Sequence, residues 1–260
     1  MEFKEVVGNR RSIRYFQPWR PVEKEKIQVI LEAARRASRA VNAPFYRAVV
    51  LERDALTPEQ RESMRTPTTT TDLEMAPVYI LWYVDPTAPN RGPKTLKQLV
   101  DVGALNASHG WSYTYVDQVV FPQVLQPLMK TPEVAILVAS CEAGLAICQA
   151  MLAAVDEGLG VCLHAFNAAG IKDVVKAPDH LIPIWIMELG YPAEDPLTGG
   201  QRPREPLEET CFWGSFDNPF PSDPRVVEYL REKKMIQDEA PAPWRKQEVA
   251  ALSRMFGLPE

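Results

Sequence analysis

The first regular pattern of apolar positions lies between residues 22 and 37. Its members lie at positions i, i+3, i+4 and i+7, with charged residues on the opposite side: Ile27, Ile30, Leu31 and Ala34. That spacing places the apolar side chains on one face of a helix. The sequence therefore predicts an amphipathic helix that packs by one side.

Two runs of β-branched and aromatic residues follow this helix. They are YRAVVLE at Tyr46–Glu52 and APVYILWYV at Ala76–Val84. Turn-forming residues bound both runs, which is typical of strands, and their apolar character predicts that both strands are buried. Between them, Leu56–Met64 predicts a short polar helix.

The longest apolar pattern runs over Glu133–Glu157 and predicts a single long helix. One of its two stripes consists mainly of larger residues: Val138, Cys141, Leu145, Cys148, Leu152 and Val155. The other consists of alanines, which allow close helix approach: Ala139, Ala143, Ala146, Ala150 and Ala153. Two apolar faces indicate a central helix that is buried on both sides, with a subunit contact as one way of covering the second face. Gly158, in EGLG, is placed to end the helix.

The remaining segments complete a mixed pattern. VCLHAF and IPIWIMELGY predict two more strands around a short helix near Ala168–Val175, and the tail predicts helices at Arg225–Lys233 and Lys246–Met255. Residues 85–132 hold aromatic residues among prolines and polar residues, which suits a lid or pocket wall. Because helices and strands do not alternate regularly, the predicted fold class is α+β.

Composition narrows the class of protein. The chain has 260 residues, which suits one large domain with extensions, and its formal net charge of −5 argues against nucleic-acid binding. The start of the chain has no apolar core of a signal peptide, and Glu142 interrupts the most apolar stretch, so we expect neither export nor membrane spanning.

The four cysteines, Cys141, Cys148, Cys162 and Cys211, form no CxxC pair, and the chain has only three histidines. We therefore expect no metal site and a cytoplasmic location with reduced thiols.

Two basic segments are candidates for anion binding. In NRRSIRYF, Arg10 and Arg14 lie one helical turn apart around the hydroxyl of Ser12, a set that suits a phosphate. The alternative is a solvated basic face at a helix end. In QRPREPLEE, prolines hold Arg202 and Arg204 in a stiff segment that could bind an anion, and the alternative there is a surface turn.

Four blocks together carry a family resemblance. In order they are RRSIRYF with the following ILEAARRASRAVNAP, then EGLGVCLHAFN, MELGYPAE and RPREPLEE. In this combination the chain resembles the FMN-dependent nitroreductase family. The resemblance covers Asn9–Ala48 and Glu142–Glu209, is weak over residues 53–132 and has no motif beyond Glu209. It implies a mixed sheet flanked by helices and a homodimer with the long helix at its interface.

The resemblance also implies a division of the chain. Residues 1–210 correspond to the FMN-binding domain, with 85–132 as its variable lid or pocket segment. Residues 211–260 form an extended C-terminal arm that packs on the partner subunit.

The same resemblance assigns the phosphate-binding residues of FMN. Arg10, Arg11, Ser12 and Arg14 occupy the places of the family's basic run, which binds the phosphate and ribityl chain. Arg204 occupies the place of a late arginine that also reaches the phosphate.

Two further segments correspond to the family's flavin contacts. Ala37–Asn42 matches an APSxxN loop that reaches the flavin from the partner subunit. Asn42 is retained there, but Ser38 and Arg39 replace the Pro-Ser pair, which makes Arg39 a candidate substrate contact. The segment along the flavin corresponds to Cys162, Leu163, His164 and Ala165, with the Ala165 backbone near the reactive nitrogen.

Alternatives remain for single residues. His164 is either a proton donor or a packed, hydrogen-bonded residue, and Cys162 is either a nucleophile or a small buried residue in an apolar strand. Gly158 and Gly160 do not complete a GxGxxG motif, so a Rossmann dinucleotide site is excluded.

Three functions follow as hypotheses. The first is a ping-pong reductase that takes hydride from NAD(P)H through FMN to a nitroaromatic, quinone or similar small molecule. The second is an FMN-dependent oxidase or dehydrogenase of a specialised metabolite, and the third is a non-enzymatic flavin-binding protein.

Overall fold

The computed structural model describes residues 1–67 and 72–259. Its sheet consists of β1 (Tyr46–Glu52), β2 (Val78–Val84), β3 (Gly160–His164) and β4 (Ile182–Gly190), in the order β1–β2–β4–β3. All three strand pairs of this sheet are antiparallel. Ser12 adds a parallel bridge to Val161 of β3. The predicted α+β class is confirmed, with an antiparallel sheet flanked by helices in place of the expected mixed one.

The α-helices surround this sheet. They are α1 Phe3–Asn9, α2 Lys24–Arg35, α3 Pro58–Ser63, α4 Asp72–Met75, α5 Gly92–Asp101, α6 Tyr113–Tyr115, α7 Gln126–Lys130, α8 Pro132–Asp156, α9 Lys172–Val175, α10 Leu207–Thr210, α11 Pro224–Glu232 and α12 Arg245–Phe256. The helices predicted in the first half of the chain, at the long apolar pattern and in the tail are confirmed to within a few residues.

The two faces of the sheet carry different cores. One face packs Ile80, Trp82 and Met187 against α2 and the alanine side of α8. The other packs Tyr79 and Cys162 against the N-terminal segment and residues near α3. The prediction that both early strands are buried is correct for β2, whose residues are all buried, and wrong for β1, which is half-buried because it lies at the sheet edge with one partner strand.

The long helix α8 buries only one of its two predicted stripes. Ala139, Ala143, Ala146 and Ala150 are fully buried, whereas Leu145 is 50% exposed and Cys141 and Cys148 are exposed. Within this chain α2 and the sheet cover the alanine side alone. Burial of the second stripe at a subunit contact stays a prediction.

The exposed side of α8 is apolar along most of its length. We name it the α8 stripe: Val134, Leu137, Cys141, Leu145 and Cys148. By length and composition α8 could cross a membrane, with 33% of its apolar window buried in the protein, but the core helix of a water-soluble domain meets the same criterion.

Residues 85–132 form a mainly helical segment with a small apolar cluster of their own. Leu96, Val116, Val120 and Leu125 are buried together, and Val41 from the preceding loop packs against them. Pro122 lies in a π-helical stretch, Val116–Leu125. The segment therefore supports the loop around Val41, and its role as a lid stays a prediction.

The end of the chain folds back onto its own N-terminal part. Phe256 stacks on Tyr15 and on Trp19 with ring centroids 6.3 Å apart in each pair, and Leu252 is buried. The α12 part of the predicted arm, residues 211–260, thus packs on its own chain. Contact of the arm with a partner subunit stays a prediction.

Candidate functional site

Arg10 is a half-buried cation at the end of α1. Its guanidinium has no hydrogen bond or ion pair to any residue that the structure describes. Burial lowers the pKa of Arg10 below its ordinary value, and the nearby charge of Arg204 lowers it further. Because no carboxylate offsets this repulsion, the two arginines form a site that favours an added anion.

Arg204 lies in the proline-bounded segment that follows β4. Its Nη1 donates a hydrogen bond to the carbonyl of its neighbour Pro203 at 2.9 Å, and the side chain is exposed. Burial, and after it the charges of Arg10, Arg202 and Arg204, lowers the pKa of Arg11, and Arg11 Nε donates to the Gly200 carbonyl at 3.0 Å, just before the second basic segment. The structure thus brings together the two basic segments that lie almost 200 residues apart in sequence.

Arg11 differs from the expected phosphate ligand because the protein already surrounds it. Its side chain donates to the carbonyl oxygens of Gly8, Leu197 and Gly200 and to Oε1 of Gln237. It is 4% exposed, and burial lowers its pKa to about 10. The prediction for Arg11 therefore changes from a phosphate ligand to a structural residue, because its donors are taken up by these acceptors.

Ser12 and Arg14 lie on either side of Ile13, whose N–H donates to the Val161 carbonyl at 2.9 Å. This contact fixes the basic run beside β3. The Arg14 guanidinium is exposed and lies 3.4 Å from the Ser12 carbonyl, while the Arg14 N–H donates to Glu194 Oε1 at 2.6 Å. The Ser12 hydroxyl and the Arg14 guanidinium remain candidates for contacts to an anion.

The loop with Ser38, Arg39 and Asn42 has an unusual backbone. Val41 and Asn42 both have positive φ, at 47° and 53°, which is uncommon for a β-branched residue such as valine. Arg39 Nη2 lies 3.4 Å from Asn42 Oδ1, and Glu142 Oε2 accepts a hydrogen bond from the Ala40 N–H at 2.9 Å. In the sequence, Glu142 is recognisable only as a charged residue that interrupts the apolar stretch of this helix.

Among the described residues, no hydrogen bond or ion pair joins this loop to the arginine cluster. The loop and the cluster are thus separate groups in one chain. A site that uses both would need the loop of a second subunit, as the family resemblance implies.

The β3 segment contains a cluster that the sequence did not reveal. His164 Nε2 lies 3.5 Å from Glu188 Oε2 on β4, and the Glu188 side chain is completely buried. Ligand atoms of Cys162, His164 and Glu188 all lie within 4.8 Å of one another. His164 therefore packs beside a buried carboxylate, Cys162 is buried, Leu163 is half-buried, and Ala165 is exposed after the strand end. The sequence feature that could have indicated this cluster is Glu188, a glutamate inside the apolar run IPIWIMELGY.

The residues present fit a flavin mononucleotide at its phosphate end. A phosphate needs fixed cationic donors without competing carboxylates, and Arg10 with Arg204 provides that set. The family resemblance implies that the isoalloxazine lies near Ala165, an exposed residue that follows the strand held by Ser12 and Ile13, and this stays a prediction.

Comparison with known proteins identifies the family of the chain. The sequence model of the Nitroreductase family matches residues 7–191. No curated protein matches the chain.

Solved structures show the same fold at low sequence identity. A protein from Exiguobacterium sibiricum, classed as a nitroreductase and solved in complex with FMN, has 21% identity and a TM-score of 0.64, covering 82% of this chain and 97% of its own. A protein from Staphylococcus epidermidis described as an NAD(P)H:FMN oxidoreductase has 18% identity and a TM-score of 0.65, covering 82% and 95%. The enone reductase CLA-ER of gut-bacterial fatty acid saturation has 17% identity and a TM-score of 0.63, covering 82% and 98%.

Proposed function

The chain belongs to the nitroreductase family of flavin-dependent oxidoreductases, and we propose that it uses FMN to transfer hydride from NADH or NADPH to a small organic acceptor. The acceptor class that we propose is a nitroaromatic, a quinone or a similarly electron-poor molecule. The protein would act in the cytoplasm, without nucleic acid or membrane as a partner.

One observation carries the proposal. The Arg10 guanidinium has no hydrogen bond or ion pair to any described residue, burial and the charge of Arg204 lower its pKa, and the nearby Ser12 bridges to Val161 of the strand that leads to Ala165. Like charges held close are costly unless an anion joins them, so the pair is well suited to the FMN phosphate. Arg14 and Ser12 would complete the set, while Arg11 holds the surrounding backbone.

The remaining residues would orient the cofactor and exclude water. FMN, when bound, supplies the hydride-transfer chemistry that the side chains lack. The exposed backbone after β3, Ala165 in particular, would support charge on the reduced ring, and Cys162 and His164 would fix that strand from its buried side. No acid–base pair of side chains is required for this role.

A homodimer is part of the proposal. The α8 stripe is exposed in the single chain, with Leu137 at 63% and Leu145 at 50% exposure. Among the described residues, no hydrogen bond or ion pair joins the Arg39–Asn42 loop to the arginine cluster. A second copy that covers the stripe would also bring its loop to the flavin site, where Arg39 would contact substrate.

An anaerobic titration tests the proposal. Purified protein loaded with FMN is titrated with NADH and then NADPH while the flavin absorbance is followed, after which a quinone and a nitroaromatic are added. We expect bleaching by at least one nicotinamide and recovery of the flavin colour with an acceptor.

Two other outcomes would contradict the proposal and assign the protein a different function. If neither nicotinamide reduces the flavin but a metabolite does so, with reoxidation by oxygen, the protein is an oxidase or dehydrogenase. If no donor reduces a tightly bound flavin, the protein binds flavin without catalysis.

A further inference from the structure

The part of the chain beyond the family match contacts the proposed phosphate site. The family match ends at residue 191, whereas residues 194–258 make contacts with the basic run. These contacts come from three places: Glu194, the segment around Gln237, and α12.

Glu194 lies at the centre of the first set of contacts. Its Oε1 accepts hydrogen bonds from the N–H groups of Arg14 and Tyr15 at 2.6 and 3.1 Å. Its Oε2 accepts a hydrogen bond from Arg245 Nη2 at 2.6 Å, and the carboxylate is fully buried. One carboxylate therefore joins the backbone of the basic run to the first turn of α12.

Arg245 also connects this carboxylate to the loop that leads to Arg204. Its Nη1 donates to Glu248 Oε2 at 2.8 Å, and Glu248 Oε1 accepts from the Asp195 N–H at 2.6 Å. Burial alone would lower the pKa of Arg245, but the hydrogen bonds to Glu248 and Glu194 raise it above its ordinary value. The guanidinium thus stays charged between the two carboxylates.

The segment around Gln237 makes the second set of contacts. Gln237 accepts from Arg11 and donates to Asn9 Oδ1 at 2.8 Å, and the Gln201 N–H donates to the Asp238 carbonyl at 2.8 Å. Both basic segments are therefore attached to the same tail, one at residues 9–15 and the other at residues 195–201.

We propose that Arg245 is a positioning residue, which acts through Glu194 and Glu248 to hold the two basic segments at the separation that a phosphate needs. Arg10 and Arg204 repel each other in the absence of an anion, so an arrangement that keeps them close must be held by other contacts. The α12 contacts do this before the ligand arrives, which reduces the ordering required on binding. The inference rests on the proposed use of FMN.

The test compares two flavins that differ by the phosphate. FMN and riboflavin are titrated into apoprotein, and the dissociation constants are obtained from flavin fluorescence for the natural protein, Arg245→Met and the exposed control Lys246→Met. For Arg245→Met we expect the Kd for FMN to rise about tenfold while the Kd for riboflavin changes less than about twofold. The control should match the natural protein for both flavins.

A purely structural role of Arg245 would give a different result. Equal rises in the Kd for both flavins, or no change in either, would overturn the positioning role. Failure of the natural protein to bind FMN more tightly than riboflavin would instead overturn the proposed function, so the two failures are distinguishable.

A second variant covers the case in which Arg245→Met does not fold. Arg245→Lys keeps the cation between the carboxylates but cannot reproduce both pairs of hydrogen bonds. We expect it to fold and to show a smaller rise, about threefold, that is again confined to FMN. A loss shared by riboflavin would contradict the proposal for this variant as well.

Discussion

Arg10 and Arg11 are neighbours in the chain, but their guanidinium groups lie in different surroundings. Arg11 donates to four backbone carbonyls and to Gln237. The Arg10 guanidinium has no protein acceptor among the described residues, and burial and the charge of Arg204 lower its pKa. The first arrangement supports the fold, and the second supports ligand binding. Variants at the two positions should therefore change different measured quantities.

Replacing Arg10 and Arg204 by alanine should weaken FMN binding. Each phosphate-bonding arginine typically contributes about 1.5–3 kcal/mol, so each single variant should raise the Kd for FMN by about tenfold or more. Equilibrium dialysis of the apoprotein with FMN checks this. Arg36→Ala, on the exposed side of α2, is the matched control, and undiminished binding by the double variant would remove the role assigned to the pair.

Replacing Arg11 by methionine should lower the stability of the apoprotein. The carbonyls of Gly8, Leu197 and Gly200 would lose a charged donor, for a decrease of about 2–4 kcal/mol in the free energy of unfolding. Urea unfolding measures the decrease. Arg10→Met is the comparison and should leave the stability unchanged or slightly higher, since it removes a desolvated cation. Equal losses in both variants would contradict this separation of roles.

Glu142 should stabilise the loop that carries Arg39. Removing its carboxylate in Glu142→Ala leaves the Ala40 N–H without its acceptor, at a cost of about 1 kcal/mol. Hydrogen exchange should then be faster at the Ala40 amide. Glu142→Gln retains an acceptor oxygen and should keep most of the protection, so equal exchange in both variants would argue against this contact.

The stability of the protein should depend on Tyr79 at alkaline pH. Burial raises the pKa of Tyr79 above its ordinary value, and its hydroxyl donates to the Leu73 carbonyl. Above about pH 10 the unfolded chain loses this proton while the native protein retains it, so the contribution of Tyr79 is complete below that pH and decreases as the pH rises.

Tyr79→Phe isolates this contribution. The variant should be less stable than the natural protein at about pH 8, and the difference should shrink by about pH 11. Urea unfolding at both pH values measures it. Tyr229→Phe, at an exposed position, should show a constant difference, and a pH-independent difference for Tyr79→Phe would contradict the expectation.

Charges on the α8 stripe should prevent dimer formation. Leu137→Glu combined with Leu145→Glu would place two carboxylates in the proposed interface, where they would be desolvated without partners. Sedimentation velocity should show a dimer for the natural protein and a monomer for the variant. Val102→Glu is the control, because Val102 is an exposed apolar residue elsewhere, and a monomeric natural protein would refute the homodimer proposal.

The local elements were predictable from the sequence because each depends on neighbouring residues. The spacing of Ile27, Ile30 and Ala34 determines which face of α2 is buried, and β-branched and aromatic residues determine β2. The four motif blocks likewise indicated the family and a phosphate-binding role for the basic run. The FMN contacts of individual residues remain predictions.

The tertiary structure determined the surroundings and partners of charged residues that look alike in the sequence. Sequence alone could not separate Arg10 from Arg11, because three acceptors of Arg11 lie far away in the chain, at Leu197, Gly200 and Gln237. Nor could it pair His164 with Glu188 or Arg245 with Glu194, since these contacts depend on strand register and on the packing of α12. Local periodicity sets helix and strand, whereas the burial and partners of a charged group depend on which distant segments meet around it.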